Sequence, residues 1–508
     1  MAHITLIRPP VLVAKWAHTT PTCPPIGLAY VAGSLRAAGH AMTVIDAVGA
    51  APEQRLPTAD PRFLSHGLSL DAIVAAIPAE TEIIGVSVMF THEWPLIRAL
   101  LTSIRQRFPA VPLVAGGEHV TALPELSLEQ CPALDLCVRG EGEQTMVELV
   151  AALLTNPTVP PEVAGLARRD GAGGVACTEP RARQTQLDDL PPPAWDLFPL
   201  DRYLDNGYGF GVNRGRSMPI LATRGCPYRC SFCSNASMWG TRWVARAPEA
   251  VFAEIVAFRE RYAIDNFDFY DLTAIVRKDW IIRFCDLIDQ SGLAFTWQLP
   301  SGTRSEAIDS EVAERLYRAG CRNLSYAPES GSLRTLERIG KKIKLPAMLT
   351  SMRASVRAGI NCKANIIIGF PGETHRDVLV TLWFCVRMAL AGLHDMSISP
   401  FSPYPGSPLF EEMRAAGRIP EIDDRYCYSL AAYTDITTTT SCSEHIGDKA
   451  LGRYRLGGML LFYAVLYAVR PWRLVRTLRN VFGTRQESRL EMSLRDLLVR
   501  LGAARKAS

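Results

Sequence analysis

Two hydrophobic rhythms alternate along the first 155 residues. Short runs at Ile4–Ile7, Thr43–Asp46, Ile83–Met89, Leu113–Ala115 and Leu134–Val138 have the length and composition of buried strands. Between them, Gly27–Ala38, Pro95–Arg107 and Thr145–Leu154 carry apolar residues at helical spacing, the first followed by Gly39 as a C-cap. Strands alternating with helices predict a doubly wound parallel (Rossmann-like) sheet, and ligands of such sheets lie beyond the C-terminal ends of the strands. Residues 156–215 change character, with Pro157, Pro160, Pro161, Gly171, Gly173, Gly174 and Pro191–Pro193 clustered, and read as a linker with a strand at Ala164–Arg168 embedded in it.

The βα rhythm resumes over 216–410. Strands are expected at Pro219–Thr223, Asn266–Tyr270, Phe295–Leu299, Asn323–Ala327, Lys363–Ile368 and Met396–Pro400, with helices such as Pro248–Tyr262, Lys278–Ser291, Ser310–Ala319 and Leu345–Ala358 between them. Six such units predict an open, partial (β/α)6 barrel of the TIM type, with its active site at the strand C-terminal ends. Residues 411–508 read as a helical C-terminal region. The fold class is therefore α/β, in three parts: sheet domain, partial barrel and helical tail.

Composition narrows the partners. Of 508 residues, 48% are hydrophobic and 21% charged, which suits a folded globular chain, and a net charge of +4 is too weak to imply a nucleic-acid partner. The start shows no signal peptide and no apolar run reaches transmembrane length, so the expected setting is the reducing cytoplasm. There, clustered cysteines point to metal or catalysis, and scattered ones to core packing.

Three of the 13 cysteines are clustered, in Gly225-Cys226-Pro227-Tyr228-Arg229-Cys230-Ser231-Phe232-Cys233. A tight loop after a strand, with C-x3-C-x2-C spacing, can present soft thiolates to three corners of an iron–sulfur cube. Structural zinc would want a fourth Cys or His close by, and none follows.

At this motif the chain resembles the radical SAM superfamily. The resemblance implies a [4Fe-4S] cluster on Cys226, Cys230 and Cys233. S-adenosylmethionine would chelate the open iron and be cleaved to a 5′-deoxyadenosyl radical. Further strand-end motifs follow in superfamily order. Phe232 precedes the last cysteine. Asp271, in Asp271-Leu272-Thr273, lacks the second acid often found in relatives but would hold the amino group of S-adenosylmethionine. Glu329 and Ser330 would contact its ribose and amino-acid portions. Gly369, Pro371 and Gly372 would approach its adenine, and Tyr404 lies in the turn after the sixth strand. Tyr326, Glu329 and Tyr404 are candidates for lining the cavity, and no general base is evident.

The N-terminal part resembles the superfamily branch that carries a cobalamin-binding domain, a group that includes the anaerobic magnesium-protoporphyrin ester cyclase and many cobalamin-dependent methylases. The matching pieces contain Pro25, Gly116, Gly117, His119, Gly140, Glu141 and Gly142, in turns where a flat corrin would lie over the sheet edge. The D-x-H-x-x-G motif that gives a histidine to cobalt is absent. His92 and His119 lie in strand-end loops without it, so cobalt without a lower protein imidazole is expected.

The function so implied is methyl transfer to an unactivated carbon (or phosphorus) of a small, lipid-like or natural-product substrate. An electron donor such as flavodoxin or ferredoxin would serve it. Two alternatives stand beside it: a non-methylating oxidative cyclase or rearrangement enzyme, and a non-catalytic cobalamin-binding protein. In the tail, Arg453–Arg485 holds seven arginines and no acid around the apolar Leu456–Val469. It reads equally as a helix at a membrane surface and as an ordinary buried helix with a solvated basic face.

Overall fold

The computed structural model describes residues 1–508 except 18–21, 157–160, 304–306, 420, 436, 484, 485 and 508, and the side chains of 432, 433 and 499–507. Pro157, Pro160 and Arg485 therefore lie outside the described residues.

The N-terminal unit contributes β1 (His3–Arg8), β2 (Val11–Ala14), β3 (Ala41–Asp46), β4 (Arg55–Pro57), β5 (Phe63–His66), β6 (Ile83–Ser87), β7 (Leu113–Gly116), β8 (Leu136–Val138), β9 (Leu166–Arg169) and β10 (Val175–Cys177). Its main sheet runs β10-β9-β8-β7-β6-β1-β3. The five strands from β8 to β3 are parallel, as the alternating pattern requires. The edge differs from a purely parallel sheet. Strands β9 and β10 come from the stretch read as linker and pair antiparallel, β9 on β8 and β10 on β9. The cause is local: Leu166 and Ala167 are fully buried, Asp170 Oδ1 accepts from the Ala172 and Gly174 amides to close a tight turn, and Arg169 donates to the carbonyls of Leu128, Cys131 and Leu134. A small antiparallel sheet, β2-β5-β4, was not foreseen from the pattern. The prolines 191–193 are not a loose tether either. A Cβ on Gly33 would stand 2.2 Å from the Pro192 carbonyl oxygen, so this segment packs directly on the helix Ile26–Ala37.

The second unit contains β11 (Ser217–Ile220), β12 (Thr223–Arg224), β13 (Val244–Ala245), β14 (Asn266–Phe269), β15 (Thr296–Thr303), β16 (Cys321–Glu329), β17 (Asn361–Ile368) and β18 (Asp395–Pro400). Six strands pair parallel in the order β11-β14-β15-β16-β17-β18, and the two outer strands do not meet. This is an open barrel wall. Along β17 the residues alternate: Cys362, Ala364, Ile366 and Ile368 are buried, while Asn361, Lys363, Asn365 and Ile367 are half-buried and line the interior. The interior of a closed TIM barrel is packed with branched apolar residues; here polar side chains surround a cavity.

The tail forms helices Asp448–Val469, Pro471–Val481 and Arg489–Ala507. The first packs Leu451, Phe462 and Leu466 against the barrel beside β18. Among the described residues no single helix is long and apolar enough to cross a membrane; the 448–469 and 471–481 pair reaches the length only together and is bent by 113°. Between the last two helices, Glu487–Arg489 enters the barrel cavity.

Candidate functional site

The cysteine loop leaves β12 through Gly225, at φ +82°. A Cβ there would stand 2.3 Å from the Arg242 carbonyl oxygen, so the close turn demands glycine. The loop is fixed at its middle, where the Ser231 amide donates to Ile339 O (2.9 Å) and Ser231 O accepts from the Leu409 amide (2.7 Å). Cys226, Cys230 and Cys233 are in no disulfide and are all half-buried. Burial, together with the neighbouring Cys230 and Cys226 thiolates, pushes the Cys233 thiol up to about 11. Three thiols close enough to act on one another's charge suit a metal centre.

Among the described residues no three His, Cys, Asp or Glu side chains gather round one point as a single-ion site requires. A cube binds each thiolate to a different iron, so its ligands stand further apart than those of one zinc ion. The donor set therefore fits a cluster with three protein ligands. A cavity of about 240 Å³ lies against Cys230 and Cys233, lined also by Asn235 and Thr241. On its other side the loop opens through Phe232, Cys233 and Ser234 onto the main cavity, about 630 Å³, inside the barrel.

The structure sorts the other candidates. Phe232, Glu329 and Tyr404 face the main cavity. Glu329 is one of two non-glycine residues among the described residues with positive φ, at +64°, beside an irregularity in the β16–β17 register. It pairs with Lys341 at 2.9 Å, and the Lys341 ammonium lies 5.9 Å from the Phe232 ring centre. Left-handed backbone in a bulky acidic residue is strained and concentrates at functional sites. Asp271 is buried beside β12 rather than on the main cavity. Its Oδ2 accepts from the Ala222 amide (3.3 Å), its Oδ1 has no partner among the described residues, and burial raises its pKa to about 6.

One expectation is corrected, and the remaining barrel candidates lie off the main cavity. Tyr326 does not line the cavity: it is fully buried on the outer side of the wall, hydrogen-bonded to Ser351 and Ser355 at 3.0 Å each. Ser330 turns its hydroxyl to Thr381 (2.9 Å). The amides of Gly369 and Gly372 donate to Glu373 and Glu444, and Pro371 is buried between them. Where Cβ atoms would project, Gly369 meets Leu451 and Gly372 meets Arg338. This turn packs on protein, not on the cavity.

The rim of the N-terminal sheet meets the barrel mouth. His92 Nδ1 lies 2.9 Å from the Tyr404 hydroxyl, and Glu118 accepts from Ser234, next to Cys233. Burial lowers His92 to about 4 and His119 to about 3, so both are neutral at ordinary pH. His119 contacts Thr91 through Nδ1 (3.1 Å), while its buried Nε2 has no partner among the described residues. Gly117 has φ +130°, and a Cβ there would stand 2.5 Å from the Val88 carbonyl oxygen. Gly140 has nothing within 4 Å of that position, and Gly116 only Val138, which leaves room for a flat ligand over the sheet edge. Pro25 precedes the helix Ile26–Ala37, and Gly142 opens the helix Gly142–Thr155.

Glu141 is not available to a ligand. It accepts from Arg183 (3.1 Å), the Gln184 amide (2.8 Å) and Arg224 (3.0 Å). Arg224 also pairs with Glu143, and both arginines lie 5.5 Å from the Trp239 ring centre. This buried bridge ties the rim of the first sheet to the cysteine loop. Sequence reasoning missed it, because Arg224 is separated from its partners by some 80 residues. It also missed the polar barrel wall of Asn323, Ser325, Lys363, Asn365, Ser397 and Ser399, although the alternation in Asn361-Cys362-Lys363-Ala364-Asn365 was a visible signal.

A thiol loop at the mouth of an open parallel barrel, capped by a Rossmann-like sheet, defines a class: radical SAM enzymes with a cobalamin-binding domain. The B12 binding domain matches residues 15–150, and the radical SAM superfamily matches residues 220–385. The chain belongs to this family of cobalamin-dependent radical SAM methyltransferases, and its cofactors are a [4Fe-4S] cluster, S-adenosylmethionine and cobalamin. It is similar to an uncharacterised methyltransferase of Pyrococcus horikoshii, 31% identical over 414 residues, 80% of this chain and 82% of the other. It is also similar to the cytidylyl-2-hydroxyethylphosphonate methyltransferase of Streptomyces wedmorensis, 26% identical over 83% of this chain and 84% of that one. Its fold is that of the radical S-adenosylmethionine methyltransferase TsrM from Kitasatospora setae, with a TM-score of 0.68 at 18% identity over the whole of both chains.

Proposed function

We propose that the chain transfers a methyl group to a carbon of a small, polar, anionic molecule held inside the barrel. The observation that carries this reading is Lys363. It stands on the inward face of β17 in a deep cavity and makes no hydrogen bond or ion pair among the described residues, while the walls around it are polar. Asp395 stands across from it on β18 and Arg489 lies near, but no carboxylate is hydrogen-bonded to the ammonium, which favours a ligand that brings its own negative charge. The Streptomyces wedmorensis relative, named for a phosphonate substrate, supports the same class. Phe210, Val212, Phe232, Leu324, Ile367 and Phe401 also line the cavity, so the anionic group would sit on a substrate with an apolar part as well.

Cys226, Cys230 and Cys233 would hold the cluster, and Phe232 and Glu329, which face the cavity, would contact S-adenosylmethionine. The His119 side of the sheet rim would lie against cobalamin. Together these groups supply radical hydrogen abstraction and a methyl donor. The chain's own residues do the rest. Lys363 binds the substrate anion, Asn365, Ser397 and Ser399 orient it, and Tyr404, hydrogen-bonded to His92, closes the mouth between the two units. The half-buried cysteine loop admits an electron from a small donor such as flavodoxin or ferredoxin.

The test uses anaerobically reconstituted holoenzyme, methyl-deuterated S-adenosylmethionine and a panel of phosphonates and phosphate monoesters. The expected result is label on a product carbon, with both 5′-deoxyadenosine and S-adenosylhomocysteine formed. Label on phosphorus would move the target, and the absence of S-adenosylhomocysteine would overturn methyl transfer. Lys363→Met should raise KM about ten- to a hundredfold with the cluster intact. Burial lowers the Lys363 pKa to about 8, with Asp395 opposing and Arg489 assisting the shift. The wild-type KM should therefore rise as pH passes about 8, where the ammonium loses its proton, and the Lys363→Met profile should lack that step.

A further inference from the structure

One large surface takes no part in the site. Helices His375–Ala391 and Asp448–Val469 lie side by side: His375 hydrogen-bonds Tyr454 (3.0 Å), a Cβ on Gly458 would stand 2.5 Å from Leu382, and Arg470 donates to the carbonyls of Ala389 and Leu390 (3.1 Å each). Both cover the β17–β18 side of the barrel, so their outer faces share a direction. The following helix, Pro471–Val481, is inside out. Its buried face is mostly polar, with Arg473, Thr477 and Asn480 beside Val481, and its exposed face is mostly apolar. The polar face is pinned, since Arg473 donates to Gly392 O (2.9 Å) and Leu393 O (3.0 Å), and Asn480 to Glu491 (3.2 Å). The helix cannot roll to hide its apolar side without breaking these bonds.

The result is an apolar face studded with aromatics. Trp383, Leu460, Trp472, Val475 and Phe482 are 62%, 63%, 64%, 69% and 78% exposed. Exposed patches of this extent mark interaction sites. Around them the exposed charges are mainly basic: Arg376, Arg387, Arg453 and Arg479, with the exposed Asp448 beside Lys449 only at the far end of the first tail helix, and residues 449–483 contain no Asp or Glu. A second copy of the chain would set arginine against arginine. Anionic headgroups complement the rim, and acyl chains complement the centre. We propose that this face beds the protein in the surface of an anionic lipid bilayer, with the 471–481 helix lying in the interface and no segment crossing it.

The experiment is sedimentation of the full-length holoenzyme with vesicles of phosphatidylcholine mixed with phosphatidylglycerol, against phosphatidylcholine alone. Binding to the anionic vesicles is expected, weakened about tenfold or more without the anionic lipid or at high salt. The double variant Val475→Glu/Phe482→Glu should lose about tenfold or more of that binding with iron content unchanged. Arg453→Glu/Arg479→Glu should lose mainly the salt-sensitive part. Failure of the wild type to sediment overturns the proposal, as does binding that neither double variant weakens. So does light scattering that shows a dimer split by Val475→Glu/Phe482→Glu, which would assign the face to a second copy.

Discussion

In the N-terminal sheet, Ile83, Ile84 and Val86 of β6 and Leu113, Val114 and Ala115 of β7 are all buried, inward and outward positions alike. In the barrel, β17 buries only every second residue and turns Asn361, Lys363 and Asn365 to a cavity. The same βα rhythm thus produces two kinds of binding place. A sheet covered by helices on both faces has no interior to offer and works only at its rim. An open barrel wall, unpaired between β11 and β18, keeps an inner face that can be polar without orphaning its groups, because a ligand or water reaches them. The two places meet where Glu141 and Glu143 grip Arg224, one residue before the cysteine loop begins.

Substitutions can break or sharpen this contrast. The largest effect is expected from Cys230→Ala, which should abolish the cluster's electron paramagnetic resonance signal and all cleavage of S-adenosylmethionine. Cobalamin absorbance should persist, since the rim belongs to the other unit; loss of both would show that the units are not separable. Next, Val114→Asn should cost about 3 kcal/mol or more, by placing an unsatisfied amide in a packed sheet. Asn365→Val in the barrel wall should cost about 1 kcal/mol, the hydrogen bond it accepts from Ser397 (2.9 Å). Equal costs in chemical denaturation would erase the distinction drawn above. Tyr326→Phe should cost stability by an amount similar to Asn365→Val, about 1 kcal/mol, but is the one with no effect on turnover, because its hydroxyl bonds Ser351 and Ser355 outside the cavity.

Much of this was legible beforehand. The βα alternation, the order of the barrel strands and the cysteine spacing are local patterns, written within a few residues of one another. Side-chain direction at strand ends was not. Tyr326 and Ser330 sit next to residues that do face the cavity, yet each is turned by a partner further along the chain, Ser351 and Thr381, and the Gly369–Gly372 turn is closed against Leu451 and Arg338. The tail was legible as apolar and basic, but which of its faces is buried was decided only in three dimensions. The 448–469 helix buries one side on the barrel, and the 471–481 helix exposes the side that its composition would have hidden.

The sequence by itself determined the two α/β units and the thiol trio, because hydrophobic period and ligand spacing act over short stretches of chain. Only the tertiary structure decided which polar groups face the cavity, which carboxylates are already paired and which helix face is left bare. Those depend on contacts between residues some tens to hundreds of positions apart, where burial and hydrogen bonding choose among directions that local pattern leaves equal.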